Sequence, residues 1–112
     1  MKTFDLFDDA GRLHAFEVSN LWLGRRGVVK IVRTIPGVTV LKVPQRMFSW
    51  RTEDEFCKFA VCGRQFTVEE PFGDNSRYLI ASEPPGWCPE LQTVHKAFAT
   101  WRGWMCEWTH HA

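Results

Sequence analysis

The dipeptide Pro36-Gly37 constrains this chain more than any other pair of residues, because it separates two segments of different period. Before it, Val28, Ile31, Val32 and Ile35 recur at helical spacing, with Leu21 and Gly24 extending the same side. Ser19 or Asn20 can cap this helix by accepting a bond from an otherwise orphaned backbone N–H. Pro36 disfavours helical geometry at Ile35 and Gly37 permits a sharp reversal, so the helix stops there. After it, Val38 to Val43 is β-branched and mostly apolar, the pattern of an inner strand. Gly24 and Gly27 each lower helix propensity by about 1 kcal/mol relative to Ala. Either the helix proper starts nearer Arg26 or the glycines allow close packing, and the residues alone leave both open.

Two hairpins flank this unit. Thr3 to Phe7 and Arg12 to Val18 alternate apolar and polar residues around Asp8-Asp9-Ala10-Gly11, a turn by composition. Pairing Asp8 with Arg12 sets Leu6 opposite His14, Phe4 opposite Phe16 and Lys2 opposite Val18. Phe4, Leu6, Phe16 and Val18 then form the expected buried face. In the second hairpin, Phe56 to Glu70, a two-residue turn at Gly63-Arg64 pairs Cys62 with Gln65. Val61 then faces Phe66 and Phe59 faces Val68 on an apolar side. Ala60 faces Thr67 and Lys58 faces Glu69 on the other, where Phe56 also falls.

Gln45 to Arg51 holds Met47, Phe48 and Trp50 without a clean period, and Glu53-Asp54-Glu55 reads as a turn. Pro71 to Ser76 is rich in turn residues, Arg77 to Ser82 is a further strand, and Glu83 to Trp87 is a stiff connector. Pro89 suits the first position of a second helix, and Glu90 suits the positive end of its dipole. Leu91, Val94, His95, Phe98 and Trp101 mark one face of that helix. The expected fold is a two-layer α+β sandwich, with a mainly antiparallel sheet of five to seven strands and two helices on one face. Residues 1–112 are expected to make one domain, with the segment 101–112 packing on the core or on a partner subunit.

Charge gives the main functional signal. Fourteen bases against thirteen acids leave a formal charge of +1, which argues against a strongly basic nucleic-acid binder. Between Glu17 and Glu53, however, there are seven bases and no acid. Arg26, Lys30 and Arg33 share the helix side away from Val28, Ile31, Val32 and Ile35, an exposed basic ridge. Arginine's planar fork suits carboxylate and phosphate groups, so Arg25, Arg26, Lys30, Arg33, Arg46 and Arg51 are candidates for binding an anion. Trp22, Phe48 and Trp50 offer stacking surfaces nearby, as nucleic-acid binding requires. The plainer alternative is a solvated face neutralised by acids from elsewhere in the fold.

Other chemistry is sparse. Cys88 is expected at the N-cap of the second helix, where backbone N–H groups favour a thiolate, and is the candidate reactive thiol. His95 lies two turns on, about 10 Å along the axis, too far to serve Cys88 as a base. The alternative role for Cys88 is a small core residue beside Trp87. His14 is a second candidate reactive group, should an aromatic pocket make this a small enzyme or sensor. The cysteines form no Cys-x-x-Cys pair, and Cys57 and Cys62 fall on opposite faces of a strand, so no metal is expected. No Gly-rich phosphate loop or Gly-x-Ser-x-Gly elbow calls for a cofactor or a catalytic assignment. Asp5, Asp8 and Asp9 interrupt any signal-peptide core, and no apolar run nears the ~20 residues of a membrane span. The expected compartment is the cytoplasm, with reduced cysteines.

Six tryptophans and nine phenylalanines are many for 112 residues. Trp101, Trp104 and Trp108 recur at helical spacing and are candidates for an aromatic interface. Together these features describe a small non-catalytic binding or protein-interaction module. It is expected to act as a homodimer, with an acidic protein or anionic ligand as a further partner.

Overall fold

The computed structural model describes residues 1–19, 24–43, 55–70 and 77–101. In chain order they form β1 (Thr3–Phe7), β2 (Leu13–Ser19), α1 (Gly24–Val32), β3 (Val38–Lys42), β4 (Glu55–Val61), β5 (Arg64–Glu69), β6 (Arg77–Glu83) and α2 (Pro89–Ala99). The strands make one antiparallel sheet in the order β1-β2-β6-β5-β4-β3. Both helices pack on the same face of it, which is the two-layer α+β architecture the periodicities imply. The last strand, β6, is inserted between β2 and β5. Among the described residues no helix is long and apolar enough to cross a membrane.

The core lies between the helices and that face. Val28, Ile31 and Val32 of α1 and Leu91, Val94 and Phe98 of α2 are fully buried, as their spacing predicts. Phe98 meets Phe16 of β2 edge-on with ring centroids 5.5 Å apart, and Phe59 and Phe66 stack at 5.4 Å beneath. Helical geometry stops at Val32, earlier than Pro36. Thr34 N–H then donates to the Ile31 carbonyl and Ile35 N–H to that of Val32, a tightened turn that still buries Ile35.

The N-terminal hairpin corrects one expectation. It closes at Asp8 and Arg12, where Asp8 N–H donates to the Arg12 carbonyl at 2.9 Å. Phe7 then faces Leu13 but Leu6 faces Ala15, so His14 is an extra residue on β2, a bulge. Beyond it Asp5 faces Phe16, Phe4 faces Glu17 and Thr3 faces Val18. A slip of one residue exchanges the faces of β1. Phe16 and Val18 are buried as expected, but Leu6 is exposed and Phe4 only half-buried, with the Arg77 guanidinium 3.6 Å from its ring centroid. Thr3 and Asp5 face α2 in their place.

The second hairpin keeps its expected faces and changes its register. Its turn is Cys62-Gly63, both with positive φ (51° and 82°), as a type I′ turn requires. Gly takes the second position without strain, and Cys62 accepts the first. Val61 therefore faces Arg64, Phe59 faces Phe66 and Lys58 faces Thr67, two residues away from the expected pairing. An even shift leaves Phe59, Val61, Phe66 and Val68 together on the buried side. It also separates Lys58 from Glu69, and Lys58 pairs instead with Glu83 at 3.2 Å. Phe56 overturns a further expectation. Glu55 faces Glu69 and Cys57 faces Val68, so Phe56 is the extra residue of a second bulge. The bulge turns its ring into the core against Tyr78, centroids 4.9 Å apart, rather than onto the polar face.

Candidate interaction surface on the first helix

The first turn of α1 contains Gly24, Arg25, Arg26 and Gly27 and no acid. Gly24 has φ of +68°, and a Cβ built there would meet nothing within 4 Å. The helix therefore starts at Gly24 rather than nearer Arg26, and the positive φ, not close packing, accounts for this glycine.

The twin arginines part company at once. Arg25 points inward, where its Nε donates to Oε1 of Glu70 and its guanidinium lies over the Phe56 ring, 4.7 Å from the centroid. The Glu70 carboxylate, at the end of β5, is almost wholly buried. This contact fastens α1 to the sheet and withdraws Arg25 from the exposed set. Arg26, one residue on, is exposed, and so are Lys30 and Arg33. At 100° per residue Arg26 and Lys30 lie about 40° apart, and Arg33, just past the helix with its N–H still on the Val29 carbonyl, continues the row. No ion pair or hydrogen bond with another described residue engages them. The positive charges of Arg33 and Lys42 favour the Cys57 thiolate. Burial outweighs them and pushes the Cys57 thiol up to about 11. Arg46 and Arg51, the remaining anion-binding candidates, lie outside the described residues, as do Trp22, Phe48 and Trp50.

Cys88 sits at the N-cap of α2 with extended backbone, as expected, but its side chain makes no capping bond and belongs to the core. His95 faces away from it, toward β1. Its Nε2 lies 3.0 Å from Oδ1 of Asp5 and 3.1 Å from Oγ1 of Thr3, and Thr3 Oγ1 donates to the same Asp5 oxygen at 2.6 Å. A nucleophile–base–acid relay needs the two ring nitrogens to face different partners. Here one nitrogen serves both, so the trio clasps β1 to α2, with the Phe16 ring edge-on to the imidazole at 5.0 Å. Partial burial alone would raise the Asp5 carboxyl, but the bonds from Thr3 and His95 and the imidazole's charge outweigh it and hold it below its ordinary value. His14 occupies the bulge of β2, half-buried. Among the described residues no group of three His, Cys, Asp or Glu side chains gathers to hold a metal.

Of the aromatic interface candidates, Trp101 is half-buried against the core, and its carbonyl accepts from the Met1 nitrogen at 2.7 Å. Trp104 and Trp108 lie outside the described residues, as does most of the segment 101–112. Two contacts had no local signature in the sequence: Arg25 with Glu70, and Asp5 with His95. The acids at Glu69-Glu70 and Asp5 were visible, but only the closed sheet brings them to their partners.

Compared with known protein families, with characterised proteins and with solved structures, the chain matches none.

Proposed function

We propose that this protein is a small non-catalytic interaction module that also self-associates. The observation that carries the reading is the fate of its functional side chains. Cys88 is spent on the core and His95 on a clasp between elements, while His14, the other candidate reactive group, sits half-buried at the bulge of β2. The exposed cations Arg26, Lys30 and Arg33 have no ion-pair partner among the described residues. Self-association draws on the outer strands, where Leu6 and Phe7 of β1 and Leu41 of β3, followed by Val43, are exposed large apolar residues.

Light scattering of the purified chain at micromolar concentration tests the second part. A mass above 13.1 kDa is expected, and that mass alone at every concentration removes self-association. Thiol alkylation at neutral pH tests the first. Exposed Cys62 should label first, with buried Cys57 and Cys88 slow. Rapid, selective labelling of Cys88 would instead favour a reactive-thiol enzyme.

A further inference from the structure

We infer that the outer row of α1 docks an acidic segment of a partner protein, its carboxylates spaced at i, i+4 and i+7, an assignment that rests on the interaction-module reading. Three observations converge on it. Arg26, Lys30 and Arg33 form one exposed row, and no described acid neutralises it. The second concerns where the charges stand. Lys30 and Arg33 are near the C-terminal end of α1, where the dipole welcomes a cation for structural reasons alone. Arg26 stands in the first turn, where the dipole opposes it, and stability gives no reason for its charge. Arg25 in the same turn has Glu70; Arg26 has no such counterpart among the described residues.

The third observation selects the class of partner. A naked polyanion such as single-stranded nucleic acid is held by many cations interleaved with exposed aromatic rings. Phe7 is the single exposed large aromatic among the described residues, and it lies on β1, across the sheet from α1 and β3. The net charge of the chain is only +1. Carboxylates held at a fixed spacing are the complement of a row of this length, and a protein segment supplies them. A partner helix with glutamates at i, i+4 and i+7 repeats the spacing of the row itself.

The test uses the full chain and fluorescence anisotropy at low and at physiological ionic strength. Three probes are compared: a helix-forming alanine-rich peptide with glutamates at those positions, its glutamine counterpart, and a single-stranded oligothymidylate. The glutamate peptide should bind and the glutamine peptide should not. Replacing Arg26→Gln, Lys30→Gln and Arg33→Gln together should weaken binding about tenfold. Arg12→Gln, on the N-terminal hairpin, should leave it unchanged. Arg26→Glu alone should weaken binding while the melting temperature rises, a divergence that a merely structural role cannot produce. Peptide binding that survives the triple replacement overturns the proposal. Preferential, row-dependent binding of the oligothymidylate overturns the acidic-protein assignment and leaves an interaction module standing. No binding of any probe at low salt overturns the proposal, and if the chain also stays monomeric the interaction-module reading falls with it.

Discussion

The two helices share one face of the sheet, yet their first turns are charged in opposite senses. α2 opens with Pro89 and Glu90 and carries Lys96 in its last turn. Its C-terminal end is closed by Thr100, whose N–H and Oγ1 both donate to the Lys96 carbonyl, and by the Met1 nitrogen on Ala99 O at 2.8 Å. Every one of these choices suits the dipole or satisfies an orphaned carbonyl. α1 carries Arg25 and Arg26 where α2 has Glu90, and it borrows its acid from β5. Departures from local rules that bring no structural gain collect at functional surfaces. The contrast is the ground on which the proposed docking surface on the outer side of α1 rests.

The largest effect should come from the borrowed acid. Arg25→Met keeps the stem against Phe56 but leaves the Glu70 carboxylate, 6% exposed, without its cation. A loss of about 3–5 kcal/mol is expected from chemical denaturation. Glu70→Ala should cost less, because the stranded guanidinium keeps 20% of its surface in water. Combining Arg25→Met with Glu70→Leu should recover most of the loss, since an apolar pair carries no desolvation penalty. If the single replacements are neutral, α1 is not held as described.

The clasp on α2 should matter less and should depend on pH. The folded state holds the Asp5 carboxyl below its ordinary value of 3.8, so its stabilisation is complete above that value. It fades as pH falls through the lower folded value. Asp5→Asn should cost about 0.5–1 kcal/mol at neutral pH and less in acid, where the wild type has lost the same contribution. Parallel stability curves for the two proteins through the acid range would remove the clasp.

Smallest and most diagnostic is a matched exchange of charge between the first turns. Arg26→Glu should stabilise the protein and Glu90→Lys destabilise it, each by about 0.3–1 kcal/mol at low salt. Like signs for the two changes would dissolve the contrast between the helices.

Both helices were legible in the sequence because a 3.6-residue period repeats its own signal: Val28, Ile31 and Val32, or Leu91, Val94 and Phe98, corroborate one another. Strand faces were legible where no residue is inserted, as in Phe59, Val61, Phe66 and Val68. Bulges at His14 and Phe56 were not, because one extra residue leaves no mark in an alternating pattern and yet reverses all that follows it. The turn at Cys62-Gly63 was missed by one position, since glycine serves either place in a two-residue turn. The basic row of the candidate surface could be read from spacing within one helix. Separating Arg25 from it required Glu70, a residue that only the closed fold brings near.

The position of β6 also governs how the protein is made. β1 and β2 leave the ribosome first, but the next strand beside them, through pairs such as Phe16 with Ile80, is the last to be synthesised. A two-stranded hairpin is at best marginally stable in water. At about 5–20 residues per second, this one waits several seconds with Phe16 and Val18 uncovered. The order of strands thus leaves the N-terminal hairpin without its sheet neighbour until β6 has been made.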